Sequence, residues 1–288
     1  MQSQRSRIRI AAATALAIPV LAGTASLANA PAAQARQALP VTAYVLNGGA
    51  VTPINTATNR PGTAIPTGGS SFAMAITPNG KKVYVNGFNG GGTVLPIRTA
   101  TNKAGAAIVV ARVPAALAVT PDSKTLYIVD QDSNDVVAVS TATGPAVGSV
   151  PDGGTPVAIA ITPNGAKGYV ANFDDGTVTP FTVATNTAGT AIKVSSVPIG
   201  IAITPDSKTA YVVASSGAVT PIRTATNSAL KPIHVGTSAS GIAITPSGRT
   251  AYVTGNLGVT PINVATNKPG KLIKVPGGAG LIMITRVA

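Results

Sequence analysis

One short pattern recurs about every forty residues through most of this chain. In its five clearest copies Thr-Pro is followed, six residues after the proline, by a tyrosine. The prolines of these copies are 41 to 43 residues apart in the sequence, at Pro78, Pro121, Pro163, Pro205 and Pro246. A fixed period of this length indicates a repeat architecture, in which each unit buries its apolar faces against its neighbours.

Each unit reads as four short strands separated by turns. The copy at 199–240 has an apolar run, a Pro-Asp-Ser-Lys turn, a second run that carries the tyrosine, and two further runs. We place its strands at 199–204, 210–213, 219–224 and 232–235. Four strands in about 42 residues are typical of a β-propeller blade, so we predict an all-β fold.

Partial units stand at both ends of the repeat region. The first supplies the second to fourth strands, at 43–46, 51–56 and 62–66, and Leu281–Thr285 supplies only a first strand. Pairing the C-terminal strand with the N-terminal hairpin would close a ring and remove two open sheet edges. We therefore predict one domain, a single β-propeller of six four-stranded blades over residues 41–288, after a short tail at 36–40.

A proline recurs within the third strand of nearly every unit. It occupies positions Pro53, Pro96, Pro180, Pro221 and Pro261, and Ala138 takes its place in one unit. Because proline has no amide hydrogen, its recurrence predicts a bulge or an amide position that points away from the ladder. The sequence offers no explanation for Ala138.

The repeat resembles a known family. Tyr84-Val85-Asn86, Ala100-Thr101-Asn102 and Ile76-Thr77-Pro78-Asn79-Gly80 are similar to the YVTN-type β-propeller repeat, and the resemblance extends over nearly all of the chain after residue 40. It implies a secreted or surface-exposed propeller. Members of the family commonly have seven blades, so a count of six is a departure. The resemblance implies little about chemistry, because propellers carry many unrelated functions.

The N-terminus has the pattern of a secretory signal peptide. Arg5, Arg7 and Arg9 precede an apolar stretch at 10–27, and Ala33-Gln34-Ala35 suits cleavage after residue 35. An uncleaved membrane anchor is the alternative, although a proline and a glycine within the stretch would make a poor spanning helix. We expect residues 1–35 to be removed, leaving a secreted or cell-surface protein, a monomer with no transmembrane span.

Composition excludes much catalytic chemistry. The chain has no Cys, no Trp and one His, and it also lacks Glu. A thiol nucleophile, a cysteine zinc site and a disulfide framework are therefore impossible. The single histidine, His234, aligns with Lys193 and Lys274 of sister units, so we expect it to face outward on an outer strand without a catalytic role.

These observations favour a non-enzymatic binding or scaffold protein with an unknown ligand. One alternative is a hydrolase or lyase of the propeller type with a Ser/Asp or Asp–metal site near the central channel; its candidates are Asp152, Ser195 and Ser196, with Asp130 as partner. Another is a structural surface protein that binds no small ligand. Whether the protein is an enzyme stays open here, with the weight against it.

In a propeller, the turns between strands one and two and between strands three and four share one face, here called the bottom. Two acids fall there, Asp122 and Asp206, against many basic residues: Arg60, Lys81, Lys82, Lys103, Lys124, Lys167, Lys208, Lys231, Arg249, Lys268 and Lys271. This pattern suits attachment to an anionic polymer of the cell surface. The alternative is that duplication copied one solvated turn. Sequence-specific nucleic-acid binding is not expected, because stacking aromatics are few.

The opposite face, the top, is predicted to be acidic near the third and fourth units. Asp130, Asp132 and Asp135 offer oxygen ligands to Ca²⁺, although the loop lacks the spacing of an EF-hand and an ordinary polar loop is the alternative. We expect no other cofactor. Phe88 and Phe173 are the aromatics predicted on top loops, as contact anchors or as rings folded over their own hairpins. Ligand-binding candidates are the residues that depart from the repeat: Phe88, Arg112, Asp152, Phe173, Asp174 and Asp175.

Overall fold

A computed structural model describes residues 42–88, 92–236, 238–276 and 279. In these residues the protein is all-β, with 28 strands and no helix, and thus no helix that could span a membrane. The predicted signal peptide at 1–35, the tail at 36–40 and the predicted closing strand at Leu281–Thr285 lie outside the described residues.

The strands form six small antiparallel sheets, numbered here in chain order. Sheet one contains β1 (Thr42–Leu46), β2 (Gly48–Asn55), β3 (Arg60–Pro61) and β4 (Ile65–Ser71). Sheet two contains β5 (Met74–Ile76), β6 (Lys82–Phe88), β7 (Gly92–Arg98), β8 (Lys103–Ala104) and β9 (Ile108–Ala111). Sheet three contains β10 (Pro114–Val119), β11 (Thr125–Asp130), β12 (Asp135–Ser140) and β13 (Ala146–Pro151).

The last three sheets repeat the same order. Sheet four contains β14 (Pro156–Ile161), β15 (Lys167–Asn172), β16 (Thr177–Thr182), β17 (Thr187–Ala188) and β18 (Ile192–Lys193). Sheet five contains β19 (Pro198–Ile203), β20 (Thr209–Ala214), β21 (Ala218–Arg223), β22 (Ser228–Ala229) and β23 (Ile233–His234). Sheet six contains β24 (Ala239–Ile244), β25 (Thr250–Gly255), β26 (Gly258–Asn263), β27 (Lys268–Pro269) and β28 (Ile273–Lys274).

The sheets have the form of propeller blades. Each is an antiparallel meander, and the first strands of sheets three to six contact one another in succession. Sheet one begins with its second strand, as the sequence predicts, and is linked to sheet two by the single pair Ser70–Phe88. No described strand joins sheet six to sheet one. Ring closure is therefore not seen in this part of the chain.

The apolar core lies between neighbouring sheets. The repeat tyrosines Tyr84, Tyr127, Tyr169 and Tyr211 are no more than 1% exposed. Tyr127 of sheet three, for example, packs on Phe181 of sheet four, with ring centroids 5.0 Å apart. Each such contact buries the apolar face of one sheet against the next, which is how a repeat architecture acquires its stability.

The recurrent proline interrupts the outer strand of its sheet. The carbonyl of Pro96 accepts the amide of Gly105 at 2.7 Å, and Pro180, Pro53, Pro221 and Pro261 accept an equivalent bond. In an antiparallel strand the amide and carbonyl of one residue point to the same side. The missing amide of proline therefore faces the fourth strand, which is divided into two short pieces in these sheets.

The presence of an amide hydrogen at Ala138 accounts for the continuous outer strand of sheet three. Ala138 is the one residue at this position with an amide hydrogen, and its partner strand β13 is the one outer strand that runs unbroken for six residues among the complete sheets described. The outer strand is thus irregular beside this position in every sheet: it is divided in the sheets with a proline, and in sheet three its register shifts between Ala138 and Val139.

A hydrogen bond between side chains joins one sheet to the next. The tyrosine hydroxyl of one sheet donates to Oδ1 of the asparagine in the Ala-Thr-Asn turn of the following sheet, an arrangement here called the tyrosine clasp. Its pairs are Tyr44–Asn102 (2.6 Å), Tyr127–Asn186 (2.7 Å), Tyr169–Asn227 (2.8 Å) and Tyr211–Asn267 (2.6 Å). The asparagines have left-handed backbones, with φ between 50° and 54°, which asparagine tolerates better than most residues.

Candidate functional site

The bottom face is a continuous surface of turns. Within a sheet, the two kinds of bottom turn are bonded to each other, as in Thr224 N to the Lys208 carbonyl at 3.0 Å. Between sheets, the Ser123 hydroxyl accepts the amide of Asn79 and the Ser207 hydroxyl accepts that of Asn164, both at 3.0 Å. The basic turns of successive sheets therefore lie side by side.

The positive charge of this face is largely unneutralised. Of its basic residues only Lys124 and Lys208 form ion pairs, with Asp122 and Asp206 of their own turns, at 4.0 Å and with exposed side chains. Pairs of this kind contribute little attraction. The other bottom cations make no ion pair with any described residue, and all except the half-buried Lys82 and Lys167 are exposed.

The acids of the bottom turns serve the turns themselves. Asp206 accepts hydrogen bonds from the Thr204 hydroxyl at 2.6 Å and from the Lys208 amide at 3.0 Å. These bonds, with the Thr204 bond first, lower the pKa of Asp206, and Asp122 has the equivalent environment. Both carboxylates are held in local structure and offer little compensation to the rest of the face.

On the top face, Asp130 anchors a loop. Its carboxylate accepts the amides of Arg112 and Val113, each at 2.9 Å, and the Ser133 hydroxyl at 2.6 Å. Burial opposes ionisation, but these bonds outweigh it and leave the pKa of Asp130 below its usual value. Asn86 holds the equivalent loop of sheet two, where its Oδ1 accepts the amides of residues 72 and 73.

The other two predicted calcium ligands contact different partners. Asp132 forms an exposed ion pair with Arg112, 3.7 Å between Oδ2 and Nη1, and Asp135 lies 2.8 Å from the Ser133 hydroxyl. In the described part of the chain no three His, Cys, Asp or Glu side chains are grouped closely enough to hold a metal ion. The three predicted calcium ligands are therefore not assembled into a binding site in the described residues.

Asp152, Asp174 and Asp175 meet where the top loops of sheets three and four join. Asp175 accepts the amide of Gly154 at 2.7 Å, and Asp174 accepts the hydroxyl of Thr155. Asp152 accepts the Gly153 amide at 2.9 Å through Oδ1, and its buried Oδ2 has no hydrogen-bond partner among the described residues. The structure thus places these three predicted candidates at one loop, in which Asp174 and Asp175 hold the segment that leads into β14.

The environment of Asp152 favours its neutral form. Burial raises the pKa of Asp152, and the negative charge of Asp175 adds to the rise. The polar groups of Thr179, Gly153 and Asn172 favour the ionised form but do not offset burial. A carboxyl group with a raised pKa is a functional-site candidate in principle, but neither of the cavities described below includes it.

The described residues do not form the pair of nucleophile and base that the enzyme hypothesis requires. The Ser195 hydroxyl lies 3.3 Å from the Thr220 hydroxyl, Ser196 is exposed, and Asp130 is occupied by backbone amides. A serine nucleophile needs a base within hydrogen-bond distance. No hydrogen bond joins Ser195 or Ser196 to a carboxylate among the described residues.

One exposed aromatic on the top face was missed by the sequence reasoning. Phe72, in the connection between β4 and β5, is 60% exposed, so the expectation that only Phe88 and Phe173 lie on top loops is wrong. Phe173 is half-buried, and the side chain of Phe88 lies outside the description. Phe72 occupies the position that Arg112 has in the next sheet. Because Arg112 was assigned to the top face, this alignment of the two units could have placed Phe72 there from the sequence.

Two cavities stand out in the described residues. A small one of about 50 Å³ lies on the top between sheets five and six, lined by Val235, Val253 and Leu257 among others. A larger cleft of about 500 Å³ lies on the bottom between sheets two and three. Lys82, Tyr84, Arg98 and the turn at 141–145 line it, so this cleft belongs to the basic face.

Solved structures of similar shape support the fold. A functionally unknown protein from Desulfotomaculum acetoxidans matches with a TM-score of 0.70 and 17% identity, covering 85% of each chain. Hydrazine synthase from Kuenenia stuttgartiensis matches with a TM-score of 0.54 and 29% identity, covering 56% of this chain and 49% of that one. The match to hydrazine synthase thus spans only about half of its length, and neither likeness assigns an activity to this protein.

No family model matches the chain, and no curated protein matches it. The resemblance to the YVTN-type repeat therefore stays a prediction from the sequence.

Proposed function

We propose that this protein is a secreted, non-enzymatic β-propeller that binds an anionic polymer of the cell surface through its bottom face. The observation that carries the proposal is the basic bottom face itself, a continuous surface of turns on which exposed lysine and arginine side chains have almost no carboxylate partners in the described residues. Such a surface attracts polyanions over about a Debye length, roughly 8 Å at physiological salt.

The fold proposed with it is a closed ring of six blades of the YVTN type. Five sheets with first strands, and one sheet without, leave a single vacancy that the segment Leu281–Thr285 suits. A closed ring would set all bottom turns around one axis, so that a long polymer would meet several of them at once. Multivalent contact of this kind raises avidity without any single strong site.

A propeller hydrolase or lyase remains the alternative, and Asp152 with its raised pKa would be its first candidate. The binding function is preferred because the cations are assembled on one surface, whereas no described residue supplies a base to the candidate nucleophiles Ser195 and Ser196.

The test is binding of the mature protein to a poly(glycerol phosphate) polymer and to a polyuronate over a salt series. We expect the affinity to fall steeply as salt rises, because each neutralised contact releases a counterion. Absence of binding at low salt, or binding that is indifferent to salt, would remove the proposal.

Two double variants that remove equal charge distinguish binding by the bottom face from general attraction due to net charge. Lys231→Gln with Lys268→Gln removes two charges from the bottom turns, and Lys193→Gln with Lys274→Gln removes two from outer strands near the top, where Lys193 pairs with Thr177 and Lys274 with Gly258. We expect the first pair to weaken binding several-fold more than the second. Equal losses would mean general attraction by a basic protein.

A further inference from the structure

The tyrosine clasp between sheets four and five also holds a lysine. Oδ1 of Asn227 lies 2.8 Å from the Tyr169 hydroxyl and 3.2 Å from Nζ of Lys167. The same Nζ donates to the Thr224 carbonyl. One amide oxygen of the following sheet therefore accepts from a phenol and an ammonium group together.

Between sheets two and three that oxygen is missing. Lys82 and Tyr84 occupy the positions of Lys167 and Tyr169, but Gly144 stands where the asparagine would be. The Tyr84 hydroxyl has only a 3.3 Å contact with the Thr141 carbonyl, which also accepts from Lys82 Nζ. Among the described residues no side-chain acceptor takes the place of Asn227.

The vacant position opens into the cleft of about 500 Å³ on the bottom face. Gly144 lines this cleft, and a Cβ built there would have Ile108 Cδ1 as its nearest neighbour, at 3.8 Å. Nothing else in the described residues fills the space that the asparagine side chain fills in the sister junctions. The absence of one side chain thus leaves two donor groups at the wall of the cleft, the half-buried Lys82 and the hydroxyl of Tyr84, a residue that is 1% exposed.

A second cation faces the same cleft. Arg98 lies directly across the strand pair from Lys82, and neither forms an ion pair with a described residue. Like charges placed opposite each other destabilise a strand pair. An anion between them would relieve that repulsion, and a guanidinium can bind a carboxylate or phosphate through two parallel bonds.

We propose that this cleft binds a single oxyanion group, carboxylate or phosphate, of the polymer. One oxygen of the group takes the place that Asn227 Oδ1 has in the sister clasp, and accepts from Tyr84 and Lys82, while Arg98 binds a second oxygen. The inference rests on the proposed function, because it makes the cleft one subsite of the basic face.

The decisive variant closes the cleft without changing the charge. Gly144→Asn with Pro145→Thr rebuilds the Thr-Asn-Thr turn of sheet four. Gly144 already has a positive φ of 91°, which has to decrease toward the 50° to 54° of the clasp asparagines. We expect this variant to fold with unchanged or higher thermal stability, because Tyr84 gains its clasp. Its affinity for short glycerol phosphate oligomers or oligouronates should fall about ten- to hundredfold in titration calorimetry.

A charge pair provides a second and independent measurement. Lys82→Gln with Arg98→Gln should weaken oligomer binding by a similar factor. Lys167→Gln with Arg223→Gln, which removes equal charge from the bottom where the clasp is intact, should have only a small effect. Equal losses in the two charge pairs, or no loss on closing the cleft, would overturn the subsite.

The two proposals fail in different ways. If the long polymers bind with the expected salt dependence while the cleft variants bind them and the oligomers normally, the subsite is wrong and the basic face stands. If no polymer binds to the unaltered protein, the proposed function is wrong. Comparison of the phosphate and carboxylate oligomers shows which source of the oxyanion the cleft prefers.

Discussion

The hydroxyl of Tyr211 donates a 2.6 Å hydrogen bond to Oδ1 of Asn267, a residue of the next sheet and 56 positions further along the chain. The same bond recurs at three other junctions in the described residues. It accounts for two features of the repeat at once, the recurring tyrosine and the recurring asparagine of the Ala-Thr-Asn turn. The sequence repeat is thus set by contacts between units as well as by the strands within them.

Removing a tyrosine hydroxyl should destabilise the folded protein at the junctions where the clasp asparagine is present. Tyr169→Phe and Tyr211→Phe should each lower the free energy of unfolding by about 1 to 2 kcal/mol, because a half-buried amide oxygen loses the hydrogen bond from the phenol. Tyr84→Phe, which loses only a 3.3 Å contact with a carbonyl, should cost less. Urea unfolding of the three variants measures this, and an equal loss at Tyr84 would contradict the role of the asparagine.

The same phenols should make the protein sensitive to alkali. Burial raises the pKa of Tyr127, Tyr169 and Tyr211 to about 12. Between about pH 10 and pH 12 the unfolded chain loses these protons and the folded protein keeps them, so stability is full below pH 10 and falls as pH rises, by up to about 1.4 kcal/mol per pKa unit for each group.

Absorbance at 295 nm during a pH titration follows these phenols directly. We expect them to ionise only as the protein unfolds, and Tyr211→Phe to reduce the steepness of the loss in stability above pH 10. Reversible titration of all six tyrosines near pH 10 in the folded protein would be the opposite result.

The strands and turns could be predicted from the sequence because they depend on local patterns. The order of strands, the partial first sheet and the tyrosine register follow from alternation and turn residues within single units. The clasp could not be predicted, because it joins Tyr169 to a turn 58 residues away.

Individual side chains of the candidate site were less predictable for the same reason. Asp130 suggested a metal ligand in a polar loop, but its oxygens are occupied by amides of the loop before β10. Phe72 is 60% exposed, which no local pattern in the sequence reports.

The outer strand of sheet three should depend on the amide of Ala138. Ala138→Pro removes the donor that faces β13, and should lower the free energy of unfolding by about 1 kcal/mol or more. Hydrogen exchange of 146–151 should become faster, approaching that of the divided outer strands. Pro221→Ala is the control, since it adds a donor to a sheet whose outer strand is already divided. Unchanged protection of 146–151 in the proline variant would count against this explanation.

Asp152 should lower the stability of the folded protein near neutral pH. Its pKa is raised by burial and its Oδ2 is unpaired among the described residues, so the folded state holds the proton more tightly than the unfolded state. The stability that this proton contributes is present at low pH and is lost as pH rises through the folded pKa.

Asp152→Asn should therefore stabilise the protein at pH 7, by about 1 kcal/mol, and the gain should shrink toward pH 3. Asp132→Asn, at an exposed carboxylate that pairs with Arg112, is the control and should change stability little. Denaturant unfolding of both variants across this pH range makes the measurement. A destabilised Asp152→Asn at pH 7 would indicate that the carboxylate is ionised and needed.

The ends of the described repeat carry complementary halves of one more clasp. Tyr252 of sheet six is half-buried and Asn59 of sheet one is exposed, and neither side chain has a hydrogen-bond partner among the described residues. Asn59 already has the left-handed backbone of the clasp asparagines, with a φ of 53°. If the six sheets close into a ring, Tyr252 meets Asn59.

A double-mutant cycle between Tyr252→Phe and Asn59→Ala tests that closure in solution. We expect a coupling energy of about 1 kcal/mol, similar to that of the cycle between Tyr211→Phe and Asn267→Ala, whose partners are bonded at 2.6 Å. Residues that do not touch give additive effects within about 0.5 kcal/mol. Additivity at Tyr252 and Asn59, with coupling in the control cycle, would mean that sheets six and one do not meet through a clasp and that the six-bladed ring is wrong or closes by another contact.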